Sequence, residues 1–327
     1  MTREVRLAFV GAGTVAEMHG RGVSGVPNVR LAGAYDVDRR KAKAITSRFG
    51  GRVFDSLEEV LCDRDVDAVH VLTPVYHHVS QAIACLRAGK HVLLEKPVAN
   101  THEELALLQS VAKGAGRVCM PAHNYIYAPS VRRAKRLVET GKLGQITSLW
   151  ILYNIFHSEQ AAENYGGVVR AVCTHHAYSV LYLLGRPRRV SAVASRIRDR
   201  QASREEQAMI VCEMESGAIA NLWSSFAADD PTSDPWAVVY KVLGTNGGVS
   251  YSWHEAQFND EGGPAWGMPC YEESFVEEID HFVNQCILAD GLPLSTLDDA
   301  ADALSILTAA ERSIAKADAL ATVVYGE

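Results

Sequence analysis

The chain has 327 residues, 48% of them hydrophobic and 22% charged, with a formal net charge of -7. That length suits two domains of roughly 150 residues, and the acidic balance excludes a basic surface built for nucleic acid or another acidic partner. No run approaches the ~20 apolar residues that span a bilayer.

The opening stretch MTREVRLAFVGAG holds an apolar run too short for a signal-peptide core. Seven scattered cysteines (Cys62, Cys85, Cys119, Cys173, Cys212, Cys270 and Cys286) form no Cys-x-x-Cys pair. Free thiols, a cytoplasmic location and no structural zinc are therefore expected.

From Val5 to about Pro121, β-branched runs alternate with helical stretches, as in a parallel sheet wrapped by crossover helices. Strands are expected at VRLAFV, VRLAGAY, VDAVHVL, KHVLLE and RVCMP, and a helix at SQAIACLRAG that stops at Gly89. Beyond YAPSVRRAKRLVETGKLG the strands lengthen: QITSLWILYNIF, RRVSAVASRIR, AMIVCEMESGAIANLWSSF and WAVVYKVLGTNGGVSYSW. The turn chemistry of ESGA and TNGG predicts tight reversals in a large, mainly antiparallel open sheet. Helices at about 167–184, 273–289 and 298–317 are expected to cover one face of it. The fold class is thus α/β: a doubly wound Rossmann domain over 1–122, then an α+β domain over 123–327 for substrate binding and oligomerisation.

FVGAGTVAEMHG places Gly11, Gly13 and Ala16 between the first strand and a helix opening at Thr14 and Val15. In a dinucleotide fold the first glycine makes the turn, the second admits a pyrophosphate and the small third residue allows close packing. The helix amino end then meets the phosphates. Asp36, about 20 residues beyond the turn at the end of the second strand, can accept hydrogen bonds from ribose hydroxyls and repel a 2′-phosphate. NAD is expected over NADP, although Arg39 and Arg40 nearby can hold such a phosphate. The alternative for Asp36 is a cap on the helix near Arg39.

AGKHVLLEKPVAN ends a buried strand in Glu95, Lys96 and Pro97. Ligands of open α/β sheets bind beyond the carboxyl ends of strands. A lysine there can hold a substrate hydroxyl and stabilise a developing alkoxide.

Together GAGTVAEMHG, TPVYHHVSQAIACLRAGKHVLLEKPVA, HNYIYAPSVRRAKRLVETGKLGQI and GG…THHAYSVLYLLG resemble the Gfo/Idh/MocA oxidoreductase family over essentially the whole chain. The resemblance implies an NAD(P)-dependent dehydrogenase or reductase acting on CH–OH groups of sugars, cyclitols or their derivatives. It also implies a homodimer or homotetramer formed through the C-terminal sheet. Lys96 matches the family's catalytic lysine and His175 its catalytic histidine. Glu95 would lie by the nicotinamide ribose, Thr73, Pro74 and His78 would border the cofactor, and Asn124 would stand at the domain junction.

Before and after that histidine the sequence departs from the family pattern. Ala171, Cys173 and Tyr178 stand where aspartate, glycine and aspartate are usual, so two carboxylates are missing. Tyr178 and His176 are the candidates to support His175 in their place. Helical spacing puts His175 with Ala171, Tyr178, Ser179 and Tyr182 on a polar, small-residue side, and His176 with Val172, Val180 and Leu183 on the core side.

Tyr153, His157 and Tyr165 are candidate substrate contacts beside Lys96, Asn124 and His175. Trp236, Trp253 and Trp266 suit either a pocket or a subunit interface. Adjacent helix side chains diverge by about 100°, so His175 and His176 do not share an ion, and no metal is expected from His157, Glu163 and this pair. The missing carboxylates leave two other functions open: glycoside cleavage through transient oxidation by bound NAD, and a non-catalytic dinucleotide-binding sensor.

Overall fold

The computed structural model describes residues 3–159, 166–198, 204–230, 238–252 and 269–316. Tyr165, Glu163, Trp236, Trp253 and Trp266 lie outside the described residues. The chain forms two compact units, one of residues 1–133 with 256–301 and the other of 134–255 with 302–327.

The first unit carries a six-stranded parallel sheet of order β3-β2-β1-β4-β5-β6. These strands are β1 (Val5–Val10), β2 (Val29–Tyr35), β3 (Arg52–Val53), β4 (Ala68–Val71), β5 (His91–Leu94) and β6 (Cys119–Pro121). Interleaved with them are α1 (Thr14–Gly25), α2 (Arg39–Phe49), α3 (Leu57–Cys62), α4 (Val75–Arg87) and α5 (His102–Ala115). Strands β1, β4 and β5 are almost wholly buried, as their mostly apolar runs require of a sheet covered on both faces. The two-residue β3 has too little pattern to stand out in the sequence.

After a 3₁₀ turn at Asn124–Tyr127 comes α6 (Pro129–Glu139). The second unit then builds a six-stranded sheet of order β12-β11-β7-β10-β9-β8. Its strands are β7 (Ile146–Asn154), β8 (Pro187–Ser195), β9 (Gln207–Met214), β10 (Ile219–Ser225), β11 (Val238–Gly244) and β12 (Gly247–Ser252). The hairpins at ESGA and TNGG form as their glycines and asparagine dictate, joining β9 to β10 and β11 to β12. Strands β7 and β10 run parallel, which makes the sheet mixed but mostly antiparallel.

Two expectations about helices are corrected. The segment 167–184 is not one helix: α7 (Val168–Ala171) and α8 (Cys173–Leu184) meet at Val172. The helix expected at 273–289 does not cover the second sheet. It forms α9 (Pro269–Asp280), continues as a π-helical turn over His281–Ile287, and belongs to the first unit. Close approach to α1 explains this, because a Cβ on Gly22 would lie 2.6 Å from Ile279 Cδ1, and one on Gly25 3.0 Å from Val276 Cγ2. Glycines in α1 therefore let the apolar face of α9, with Phe275 and Ile279 buried, settle against it. The last helix, α10 (Leu297–Ala315), joins the second unit through Arg170–Glu311 and Ser313–Ala192 contacts.

At the strand-order reversal between β1 and β4, Gly11 has φ +97°, and a Cβ there would lie 2.7 Å from the Leu72 carbonyl carbon and oxygen. Only glycine satisfies both the backbone angle and the approach. Gly11→Ala is expected to lower unfolding stability by about 1–3 kcal/mol. A denaturant titration that superimposes on wild type would refute this.

Candidate active site

Gly13 opens α1 without a side-chain cap, and a Cβ on it would meet no atom within 4 Å. Thr14 and Val15 follow at the uncapped amino end, where first-turn amides have no intrahelical acceptor. Open space beside uncapped amides fits a pyrophosphate.

Asp36 closes the other side of this turn. Its Oδ2 accepts from the Ala12 amide at 2.8 Å and its Oδ1 from the Asp38 amide at 2.8 Å. Each carboxylate oxygen has a second lone pair for a ribose hydroxyl. Asp36 is not the cap of α2. That cap is Asp38, which accepts from the Arg40 amide. Arg40 pairs with Asp38 through Nε and Nη2, both at 3.0 Å, and Arg39 contacts Asp55. Both arginines thus have carboxylates of their own, so the carboxylate of Asp36 dominates the ribose end and the residues fit NAD.

The loop after β4 is fixed from within. Thr73 Oγ1 donates to Gln81 Oε1 at 2.6 Å, and Pro74 precedes the first residue of α4. His78 is buried, with Nε2 2.6 Å from the Thr73 carbonyl and Nδ1 2.8 Å from the Pro97 carbonyl. It ties the β4 loop to the loop bearing Lys96 and does not cap its own helix. Burial lowers its pKa, against the two carbonyls, which raise it.

Glu95 is buried at the end of β5. Its Oε1 meets His19 Nε2 at 3.1 Å and its Oε2 accepts from the Lys96 amide at 2.9 Å. Burial pushes its pKa up, but His19, Lys96 and His78 outweigh this and hold the carboxyl below its ordinary value. Burial lowers the Lys96 ammonium from its ordinary value, opposed by the Glu95 charge. Asn124 is buried nearby in sequence to the sheet's last strand and donates to Ser274 Oγ at 3.0 Å.

In the second unit α8 is fixed to the sheet by its own polar residues. Ser224 on β10 receives Cys173 Sγ at 3.4 Å and meets His176 Nδ1 at 3.2 Å. Ser179 donates to the His175 carbonyl at 2.7 Å and lies 3.2 Å from Tyr240 Oη. His176 is fully buried, and burial brings its pKa down to about 3. That makes it a neutral packing residue on the core side.

His175 and Tyr178, expected on the polar, small-residue side of the helix, are both buried, and His175 Nδ1 contacts the Tyr178 hydroxyl. The structure thus brings the histidine together with the residue that stands three positions downstream, where an aspartate is usual. Ala171 lies across the break at Val172. A second pair forms at the end of β7: Tyr153 Oη lies 3.2 Å from His157 Nε2, and both rings pack on Phe226. Among the described residues no group of three or more His, Cys, Asp and Glu is placed to hold a metal ion, and no helix is long and apolar enough to cross a membrane.

His19 is the residue that sequence reasoning missed. Its signal was present: it falls one turn after Ala16 and one turn before Val23, on the buried stripe of α1.

Comparison with known proteins agrees with the fold. Residues 5–123 match the oxidoreductase family with an NAD-binding Rossmann fold, and residues 131–250 match the GFO/IDH/MocA C-terminal domain. The scyllo-inositol 2-dehydrogenase (NAD(+)) of Bacillus subtilis (strain 168) is 26% identical over 96% of this chain and 95% of that protein. Glucose-6-phosphate 3-dehydrogenase of the same organism is 30% identical over 144 residues, which cover 44% of this chain and 41% of that one. The structure of GenD2 from gentamicin A biosynthesis in complex with NAD superimposes with a TM-score of 0.84 at 26% identity, covering 97% of this chain and 95% of that one. The chain is a member of the Gfo/Idh/MocA oxidoreductase family, with its NAD-binding Rossmann fold followed by the family's C-terminal domain.

Proposed function

We propose that this protein oxidises a secondary hydroxyl, or reduces the corresponding ketone, on a sugar, cyclitol or sugar derivative. The observation that carries the reading is Lys96: a lysine at the carboxyl end of β5 whose amide donates to the buried Glu95 carboxylate and whose ammonium feels that charge, in a sheet whose neighbouring loops fit NAD. Gly11, Gly13, Thr14 and Val15 hold the pyrophosphate, Asp36 the adenosine ribose, and Thr73, Pro74, His78, Glu95 and Asn124 border the nicotinamide half. Bound NAD supplies a hydride acceptor, and its reduced form a donor.

Lys96 donates a hydrogen bond to the reacting oxygen and stabilises negative charge as it develops there. His175 takes the hydroxyl proton, or returns it in reduction. For that, Nε2 must carry the lone pair, so Nδ1–H donates to the Tyr178 hydroxyl. The phenol orients the ring as the usual carboxylate would, but brings no charge to stabilise the imidazolium. Asn124, Tyr153 and His157 contribute polar contacts to substrate hydroxyls.

We also propose that copies of the chain assemble through the open face of the second sheet. Across that face Val193, Met209, Trp223, Leu152 and Val239 stand in register on successive strands. Trp150 (39% exposed), Val193 (39%) and Ile219 (45%) are apolar side chains left partly to solvent there. Trp150→Glu is expected to shift the sedimentation coefficient to that of a monomer, and a wild-type chain that sediments as a monomer would remove the basis for assembly.

A panel of sugars and cyclitols with NAD and NADP, followed by absorbance of the reduced nicotinamide, tests the activity. Lys96→Ala and His175→Ala should each lower kcat/KM by about 10²- to 10⁴-fold while circular dichroism is unchanged. Normal turnover in both would refute the mechanism. Tyr178→Phe, which keeps the ring and loses the hydroxyl, should lower kcat by about tenfold with little change in KM. Equal kcat in the two proteins would show that the phenol does not orient His175.

A further inference from the structure

His19 has no part in the catalytic scheme above, yet it is fully buried and its Nε2 lies 3.1 Å from Glu95 Oε1. Its ring is fixed by neighbours on three elements. Phe9 on β1 stands edge-on at 6.3 Å, His70 on β4 at 5.1 Å, and Phe275 on α9 at 5.1 Å between ring centroids. Among the described residues its Nδ1 has no hydrogen-bond partner, so Glu95 is the one polar group that its ring addresses. The other oxygen of Glu95 holds the Lys96 amide at 2.9 Å. A single carboxylate therefore links α1 to the backbone of the residue that bears the reacting ammonium.

We propose that His19 is a positioning residue for Lys96: by donating from Nε2 to one oxygen of Glu95, it keeps the carboxylate charged and turned so that the other oxygen fixes the Lys96 backbone. This rests on the functional reading of Lys96 above. A buried carboxylate with a donor on each oxygen stays ionised; remove one donor and burial favours its protonation or rotation. The loss would reach Lys96, since the charge of Glu95 is what opposes burial of the ammonium.

The other titratable groups do not replace His19. His70 is kept neutral by burial and by His19, and both its ring nitrogens lack partners. Glu278 on α9 is pushed well above its ordinary value by burial and by the Glu95 charge. His78 supports the Glu95 charge from α4 but spends its nitrogens on the Thr73 and Pro97 carbonyls. His123 is pushed down to about 3 by burial and the Lys96 charge, with Nδ1 on Ser295 Oγ.

The test uses the full-length chain as wild type, His19→Phe, which keeps an aromatic ring without the donor, and His19→Gln, which restores an N–H of similar reach. In cofactor-free protein, the pH dependence of Lys96 acetylation by acetic anhydride, read by peptide mass spectrometry, reports the titration of the ammonium. Its midpoint should move to lower pH in His19→Phe and return toward wild type in His19→Gln.

In turnover with NAD, His19→Phe should lower kcat at least about tenfold, as expected for loss of one charge-assisted hydrogen bond. The alkaline limb of kcat/KM should move to lower pH, because a protonated Lys96 is required. A folded His19→Phe with the wild-type acetylation curve would overturn the proposal. So would a kcat loss that His19→Gln shares in full, since that marks packing alone. Should His19→Phe fail to fold, Glu95→Gln takes its place: an unchanged Lys96 titration there overturns the proposal equally. If wild type turns over no sugar or cyclitol with NAD, the functional reading falls, while the acetylation curves still decide the role of His19.

Discussion

A carboxylate buried at the end of a parallel strand has to be paired, and the pairing of Glu95 organises the strand ends of the first unit. One oxygen is met by His19 on α1 and the other by the Lys96 amide. Leaving such a charge with one partner removed costs several kcal/mol, so the position of α1 and the path of the chain after β5 are set together. The same helix begins at the glycine turn, whose own place is fixed by the absence of a Cβ at Gly11 against the Leu72 carbonyl. The first-turn amides of α1 and the Lys96 backbone are thereby anchored to one rigid element and not to separate loops. His78 adds a second tie by facing carbonyls on both loops.

In the second unit the comparable constraint lies between α8 and the sheet. Ser224 meets Cys173 and His176 Nδ1, and Ser179 meets Tyr240, so three polar residues of one helix face find partners on the sheet, although the buried His176 Nε2 finds none among the described residues. With that face committed to the sheet, the His175 ring is left to Tyr178, one turn on. A phenol in place of a carboxylate changes the electrostatics more than the geometry. It can hold a tautomer and a ring plane, yet it adds no negative charge near the imidazole, which the proposed proton transfer would make cationic.

Most of the fold was legible because it rests on local rules. Alternating apolar runs gave the parallel strands, ESGA and TNGG gave the hairpins, and the glycine turn with Asp36 gave the dinucleotide end. Where local rules were thin, reading failed. Strand β3 is two residues long, and α9 carries an apolar face that says it is buried but not against what. Its placement on α1 depended on Gly22 and Gly25, more than two hundred residues earlier in the chain. The parallel pairing of β7 with β10 likewise has no signature in either strand alone.

For the site, the sequence by itself determined the residue types and their order: glycine turn, Asp36, Glu95-Lys96-Pro97, and a His175 stripped of its usual carboxylates. Each is a short motif whose chemistry is set by neighbours along the chain. Tertiary structure alone decided which groups pair: Asp36 with the Ala12 amide, Glu95 with His19, His175 with Tyr178 in preference to His176, and Asp38 as the cap of α2. Pairing is a matter of distance and burial. A histidine on an apolar stripe reads the same whether it fills space, as His176 does, or meets a buried carboxylate, as His19 does, until the strand that carries the partner is in place.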